Sequence, residues 1–135
     1  MPKLSILIVN YNQKYFPKLC LEALKKSKTD FEYEMIFCDN NSDDDSIKFL
    51  EGAANRGTIK LIRSKKNIGY GRANNLAAKK ARGKYILILN EDVMVEENTL
   101  QKMIDYMDKH NDVGILAPKL VYLSLIHISE PTRPY

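Results

Sequence analysis

Leu4-Ser-Ile-Leu-Ile-Val9 is a short apolar run closed by the polar cluster Asn10-Tyr11-Asn12, the pattern of a buried strand ending in a loop. Phe16, Leu19, Cys20, Ala23 and Leu24 then recur at helical spacing, with Pro17 suited to a first turn, where its missing N–H costs nothing. Glu34-Met-Ile-Phe-Cys-Asp39 predicts a second strand, and the Ser and Asp residues between Asn40 and Asp45 can cap a helix starting near Ser46. Ile59-Lys-Leu-Ile-Arg63 predicts a third strand, and the glycine-bearing loop Asn67-Ile-Gly-Tyr-Gly71 leads into a helix from Arg72 to Arg82 that Gly83 stops. Tyr85-Ile-Leu-Ile-Leu89 predicts a fourth, buried strand running straight into Asn90-Glu91-Asp92. Leu100, Met103, Ile104 and Met107 mark another helix face, and Val113-Gly-Ile-Leu-Ala117 predicts a fifth strand before Pro118.

Short apolar strands alternating with helices imply an α/β fold, a Rossmann-like parallel-rich sheet with helices on both faces. In such sheets ligands bind beyond the carboxyl ends of the strands, where the strand order reverses. The clusters Asn10 to Asn12, Asp39 to Ser42 and Asn90 to Asp92 all fall at strand ends of this kind.

The length of 135 residues is that of one ordinary domain. Hydrophobic residues at 44% and charged residues at 28% exclude a disordered or fibrous chain. No apolar run approaches the roughly 20 residues of a spanning helix, and the start of the chain lacks the pattern of a signal peptide, so a cytoplasmic protein is expected. Cys20 and Cys38 sit in apolar patterns without metal-ligand spacing, which predicts buried thiols. The net charge of +4, from 21 basic against 17 acidic residues, suits a phosphate-bearing ligand or peripheral association with an anionic membrane surface. It is too weak, and too poor in interleaved aromatics, for nucleic acid.

Asp39 is either a turn or cap residue or an acceptor for a nucleobase or ribose donor. The run Asp43-Asp44-Asp45 lacks calcium-loop spacing and reads as capping and solvation. Asn67-x-Gly69-x-Gly71 departs from the dinucleotide fingerprint, because Asn74 stands at its third glycine position and the loop follows the third strand. What it offers is a flexible turn at a helix N-terminus, with Arg72 and the helix dipole available to an anion. Two carboxylates at the tip of an apolar strand ask for a compensating partner, and Mg2+ or Mn2+ suits a few acid oxygens completed by water and substrate phosphates.

Four stretches carry a family resemblance in order, spacing and chemistry over about residues 4–122: Ser5-Ile-Leu-Ile-Val-Asn-Tyr-Asn12, Asp39-Asn-Asn-Ser-Asp43, Asn67-Ile-Gly-Tyr-Gly-Arg-Ala-Asn-Asn75 and Gly83-Lys-Tyr-Ile-Leu-Ile-Leu-Asn-Glu-Asp92. Together they resemble the N-terminal half of a family 2 glycosyltransferase with the GT-A fold, and the Val-Asn-Tyr-Asn and Asn-Asn-Ser variants resemble its rhamnosyltransferase-like branch. The resemblance implies a nucleotide-sugar donor held around Asn10, Tyr11 and Asn12, with the base packed near Tyr11 and hydrogen-bonded to Asp39. It implies that Asn41, Asn67, Gly69, Arg72 and Asn75 shape the nucleotide and diphosphate pocket. Asn90-Glu91-Asp92 occupies the place of the family's D-x-D motif, so Asp92 is the implied ligand of Mg2+ or Mn2+, Asn90 a neutral oxygen donor or sugar contact, and Glu91 a residue facing away.

Enzymes of this kind invert the anomeric centre and use a carboxylate to deprotonate the acceptor hydroxyl. That base normally lies in the C-terminal half, so none is named, and weak metal-assisted binding of a nucleoside diphosphate without turnover is expected. The implied acceptor of the full-length enzyme is a glycan or a lipid-linked glycan, met at the inner face of the membrane. Residues 1–122 are expected to be the donor-binding part. Residues 123–135 break the family pattern and resemble a translated transposase sequencing adapter, a non-native tail. Two rivals remain open: a nucleotidyltransferase, whose usual glycine-rich loop is missing from Asn10 to Lys14, and a receiver-like regulatory module, which Asp39 and Lys119 fit loosely.

Overall fold

The computed structural model describes residues 1–121. The elements follow in the order β1 (Leu4–Asn10), α1 (Phe16–Lys25), β2 (Tyr33–Asp39), α2 (Ser46–Asn55), β3 (Lys60–Arg63), α3 (Tyr70–Ala78), β4 (Tyr85–Ile88) and α4 (Thr99–Lys109). They fall into two compact units, Met1–Lys102 and Met103–Tyr135.

The first unit is built on a sheet in the order β3-β2-β1-β4, with every strand pair parallel. Successive side chains of a strand point to opposite faces, so the apolar runs of β1 and β2 must be covered on both sides. On one face Leu7, Ile36 and Cys38 pack against Ala73 and Ala77 of α3. On the other, Ile6, Ile8, Met35 and Phe37 are buried as well. There the Tyr33 hydroxyl donates to the Leu24 carbonyl of α1 at 2.8 Å, and the Asn10 amide reaches Ser46 at the start of α2 at 2.9 Å. Helices on both faces are thus found as expected. Leu21 and Leu24 supply the buried stripe of α1, each worth about 1.5–3 kcal/mol of burial, and Pro17 sits in its first turn.

Two expectations for α3 and β4 need correction. Helix α3 begins at Tyr70 and ends at Ala78 rather than running to Arg82, and the chain unwinds through turns in which Lys80 and Ala81 donate to the carbonyls of Ala77 and Ala78. Gly83 is therefore not the helix stop. Its place is set by close approach to β1, since a Cβ there would lie 2.6 Å from the Ser5 nitrogen and 2.7 Å from the Leu4 carbonyl carbon. Strand β4 is only half-buried, because among the described residues it is the edge strand and α3 covers β1 and β2 instead; Ile86 and Ile88 remain 52% and 57% exposed.

At the amino ends of the strands, the Ser5 hydroxyl and the Arg82 backbone N–H donate to Glu34 at 2.6 and 2.7 Å, Lys60 Nζ approaches it at 2.7 Å, and the Gly83 N–H donates to Ser5 at 2.8 Å. Burial pushes the Glu34 carboxyl up, but the hydrogen bonds from Lys60, Ser5 and Arg82 and the Lys60 charge outweigh it, and the group is held down at about 2 from 4.5. A depressed acid contributes stability that is fully present above the unfolded value and is lost as pH falls through the folded one. Between pH 4.5 and about 2, Glu34 is expected to account for about 1–2 kcal/mol of lost stability, discounted because Lys60 and Arg82 are half exposed. Urea unfolding of Glu34→Gln across that window should show a flatter acid limb than the natural sequence; superimposable limbs would remove the role.

The second unit holds the end of α4, where the Tyr106 and His110 rings stack with centroids 3.9 Å apart and His110 Nδ1 lies 2.8 Å from the Tyr106 carbonyl. The fifth strand expected at Val113–Ala117 is not formed. An apolar run becomes a strand only by pairing its backbone in a ladder; among the described residues none of these joins one, the Val113 N–H donates instead to the His110 carbonyl at 3.1 Å, and Ile115 is 92% exposed. The proposed tail, residues 123–135, lies outside the described residues.

Candidate functional site

The chain moves outward from β1 to β2 and β3, then crosses back to lay β4 on the other side of β1. That reversal opens a crevice at the carboxyl ends of the strands. A cleft of about 390 Å3 lies there, lined by Val9, Tyr11 and Gln13 after β1, Asn40 after β2, Asn67, Gly69 and Tyr70 before and at the start of α3, and Asn90, Glu91 and Asp92 after β4.

Beside the cleft, the ends of β1 and β2 are tied together by a buried polar network. Asn10 and Asp39 are paired in register, and the Asn10 amide donates to Asp39 Oδ1 at 2.8 Å, to Ser42 at 3.1 Å and to Ser46 at 2.9 Å. The other Asp39 oxygen accepts the Ser42 N–H at 2.9 Å, and Oδ1 also accepts the Ser42 hydroxyl at 2.7 Å. Asp39 is 1% exposed, so this is how its charge is satisfied. Asp44 adds the α2 start to the network by accepting the Ser46 N–H and hydroxyl. Asn12 and Asn41 have φ of 49° and 68°, left-handed conformations that Asn tolerates better than most residues. Asn12 also bonds Ser42 and Asp43 through its own N–H and side-chain oxygen. Asn10, Asn12, Asp39 and Asn41 therefore shape the strand ends but do not line the cleft. Arg72 and Asn75 do not line it either; both are exposed on α3.

Asn40 sits where the network meets the cleft. Its side-chain oxygen accepts the Ile68 N–H at 3.3 Å and its amide donates to the Gly69 carbonyl at 3.2 Å, fixing the loop against β2. Asn67 folds the same loop by accepting the Gly69 N–H at 2.9 Å, and Gly69 takes φ 88°, which favours glycine. Across the cleft the Tyr70 hydroxyl donates to Asn90 Oδ1 at 2.7 Å, linking the start of α3 to the exit of β4.

Glu91 does not face away from the site. It lines the cleft, is 5% exposed, and neither carboxyl oxygen has a hydrogen-bond partner. Burial, then the charges of Asp39, Asp92 and Asp44, push its carboxyl up to about 8. Burial together with the charges of Glu91 and Asp92 pushes the neighbouring Cys20 thiol up to about 12, so it is an inert, protonated core group. Asp92 beside it is exposed. Among the described residues no group of three or more acids, histidines or cysteines is gathered into a metal cage. No helix among them is long and apolar enough to cross a membrane.

Strand alternation carried the signal for Glu91. Leu87, Leu89 and Glu91 share one parity and point inward, whereas Ile86, Ile88, Asn90 and Asp92 share the other and are exposed. Asn40, Tyr70 and Gln13 had no comparable signal, because loop geometry rather than periodicity brings them to the cleft.

Comparison with known proteins agrees with this architecture. The profile of Glycosyl transferase family 2 matches residues 5–125. The poly(ribitol-phosphate) beta-N-acetylglucosaminyltransferase TarS of Staphylococcus aureus is 28% identical over 122 residues, covering 88% of this chain and 21% of TarS. Chondroitin synthase of Escherichia coli is 36% identical over 111 residues, covering 81% of this chain and 16% of the synthase. The chain thus spans about a fifth or less of these relatives. The crystal structure of S. aureus TarS 1-349 in complex with UDP-GlcNAc superposes with a TM-score of 0.71 at 27% identity, over 81% of this chain and 32% of that one. A profile match across most of the chain and a shared parallel α/β sheet lead to one conclusion: this chain belongs to glycosyl transferase family 2 and has the GT-A type of fold.

Proposed function

We propose that the cleft binds a nucleotide-sugar, that Asp92 holds a Mg2+ or Mn2+ ion against its diphosphate, and that the parent enzyme transfers the sugar with inversion to a glycan or lipid-linked acceptor. The observation that carries this reading is the meeting of Tyr11, Asn67, Gly69, Asn90 and Asp92, expected from separate stretches, around one cleft of about 390 Å3. That volume suits a small-molecule site.

In this reading the exposed Tyr11 ring packs against the base, and the Asn67–Gly69 loop, braced by Asn40, meets the ribose and diphosphate. Tyr70 and Asn90 bound the sugar side. Asn10, Asn12, Asp39 and Asn41 act by holding the strand ends in shape, and Arg72 and Asn75 lend charge and polarity from α3. Asp92 fits a cation whose remaining ligands are phosphate and water, since Mg2+ and Mn2+ take one or two carboxylates in such sites. A bound ion supplies Lewis-acid stabilisation of the charge that develops on the leaving diphosphate. No residue of this chain is assigned as the base that activates an acceptor, so binding without turnover is proposed for the 135-residue chain. A lipid-linked acceptor would put the enzyme at the cytoplasmic face of a membrane.

The donor sugar has two readings. The Val-Asn-Tyr-Asn and Asn-Asn-Ser variants resemble the rhamnosyltransferase-like branch, whereas TarS, a relative by sequence and structure, has a crystal structure in complex with UDP-GlcNAc. Competition of UDP-GlcNAc and dTDP-rhamnose for the same site separates them. Calorimetric titration with UDP should show binding that strengthens with Mn2+ and weakens with a chelator. Asp92→Asn should weaken the Mn2+-assisted affinity by about tenfold or more, some 1.4 kcal/mol. Absence of heat with and without Mn2+ would refute the proposal.

A further inference from the structure

We propose that Tyr70 is a positioning residue for the donor: its hydroxyl holds the Asn90 side chain so that the amide N–H groups, and not the amide oxygen, meet an oxygen atom of the diphosphate or the sugar. The inference rests on the nucleotide-sugar reading of the cleft. It gives Asn90 one of the two roles open to it, hydrogen-bond donor to the ligand rather than neutral oxygen ligand of the cation.

Tyr70 and Asn90 both line the cleft, and the backbone on each side is anchored. Gly69, in the left-handed region at φ 88°, turns the chain into α3, and its carbonyl accepts the Asn40 amide at 3.2 Å. The Tyr70 carbonyl then accepts the Asn74 amide at 3.2 Å within the first turns of α3. On the β4 side the Leu89 N–H donates to the Leu7 carbonyl of β1 at 3.0 Å, and the Val93 N–H closes a turn on the Asn90 carbonyl at 3.1 Å. Between these two fixed points the Tyr70 hydroxyl donates to Asn90 Oδ1 at 2.7 Å, an ordinary distance for a hydroxyl donor.

That bond decides which end of the amide is offered to a ligand. An asparagine side chain carries an acceptor oxygen and two N–H donors on opposite branches of one planar group. With Oδ1 turned to Tyr70, the N–H groups are the branch left for the cleft. A cation at Oδ1 would face the same hydroxyl proton, positive beside positive, which makes this oxygen a poor metal ligand while Tyr70 is in place. Mg2+ and Mn2+ are served by a carboxylate, phosphate oxygens and water without an amide. Phosphate and sugar oxygens are acceptors, and a phosphate oxygen gains further from its charge.

Amide chemical shifts of the full chain titrated with UDP and with UDP-GlcNAc, each in chelator and in Mn2+, test the assignment. Asn90 is exposed, so alanine there leaves the fold intact. Asn90→Ala should weaken binding by about tenfold in chelator as well as in Mn2+, because an N–H bond to the donor needs no metal. A loss with both ligands places the bond on the diphosphate, and a loss with UDP-GlcNAc alone places it on the sugar; either supports the proposal. Tyr70→Phe should weaken binding by about threefold in chelator with an unchanged urea midpoint, and the double variant should bind no more weakly than Asn90→Ala, since the hydroxyl acts through the amide. Losses that add in the double variant overturn the positioning role. An Asn90→Ala chain that loses affinity in Mn2+ alone overturns the donor role, and so does a natural sequence that binds in Mn2+ but not in chelator. Binding under neither condition would fall on the cleft reading itself and take this assignment with it.

Discussion

Gly83→Ala is expected to destabilise the fold by about 2–4 kcal/mol, a large part of what a domain of this size has to lose. The added Cβ would fall 2.6 Å from the Ser5 nitrogen, 2.7 Å from the Leu4 carbonyl carbon and 2.8 Å from the Ser5 hydroxyl. Two of those atoms belong to the backbone of β1, which is bonded to β2 on one side and β4 on the other, so no flexible side chain can yield. Relief requires moving β4 off β1 or breaking the Ser5 bridge between Glu34 and Gly83. Urea unfolding should show the midpoint falling without a change in slope. An unchanged midpoint would mean that the strands are not held this closely.

Glu91→Gln is expected to act in the opposite direction and to depend on pH. The Glu91 carboxyl is raised from 4.5 to about 8 by burial and by the charges of Asp39, Asp92 and Asp44. An acid whose folded value lies above its unfolded one is held protonated by the fold, so stability is highest below pH 4.5, declines above it and is fully penalised past about 8. Glutamine removes the titration. Thermal or urea unfolding in chelator should therefore show the variant equal to the natural sequence near pH 4.5 and more stable by about 1–3 kcal/mol at pH 8. A constant difference across that range would show that Glu91 ionises freely. Leaving an unpaired acid under a cleft costs stability, and a protein keeps such a cost where a ligand or a cation repays it.

The physical reasons some features were legible from residue order are as clear as the reasons others were not. β1, β2 and α1 follow from apolar runs and helical spacing, because burial on both faces or along one stripe writes directly into the pattern. β4 is an apolar run like the middle of β1 but has a different fate: Ile86 and Ile88 are exposed because, among the described residues, β4 is last in the sheet and α3 sits elsewhere, facts of topology. Val113–Ala117 reads as a strand yet finds no described strand to pair with. At the site, the strand-end clusters were legible as a region. The division of labour inside it was not, since Asn10 and Asp39 satisfy each other while Asn40, one residue on, braces the cleft loop. Asn12 and Asn41 entered as donor-site residues through the family resemblance, and residue order gave no sign of the left-handed backbone both adopt, a conformation that asparagine tolerates.

The central claim is that nucleotide binds at the carboxyl ends of β1, β2 and β4, and residue-resolved amide chemical shifts during titration with UDP and Mg2+ test it most directly. The predicted result is saturable perturbation at Tyr11, Asn40, Asn67, Gly69, Tyr70, Asn90 and Asp92, with little change at Arg72 and Asn75 on the outer face of α3 and none at Glu34 and Arg82. No saturable shift, or shifts centred on the Glu34 end of the sheet, would contradict it.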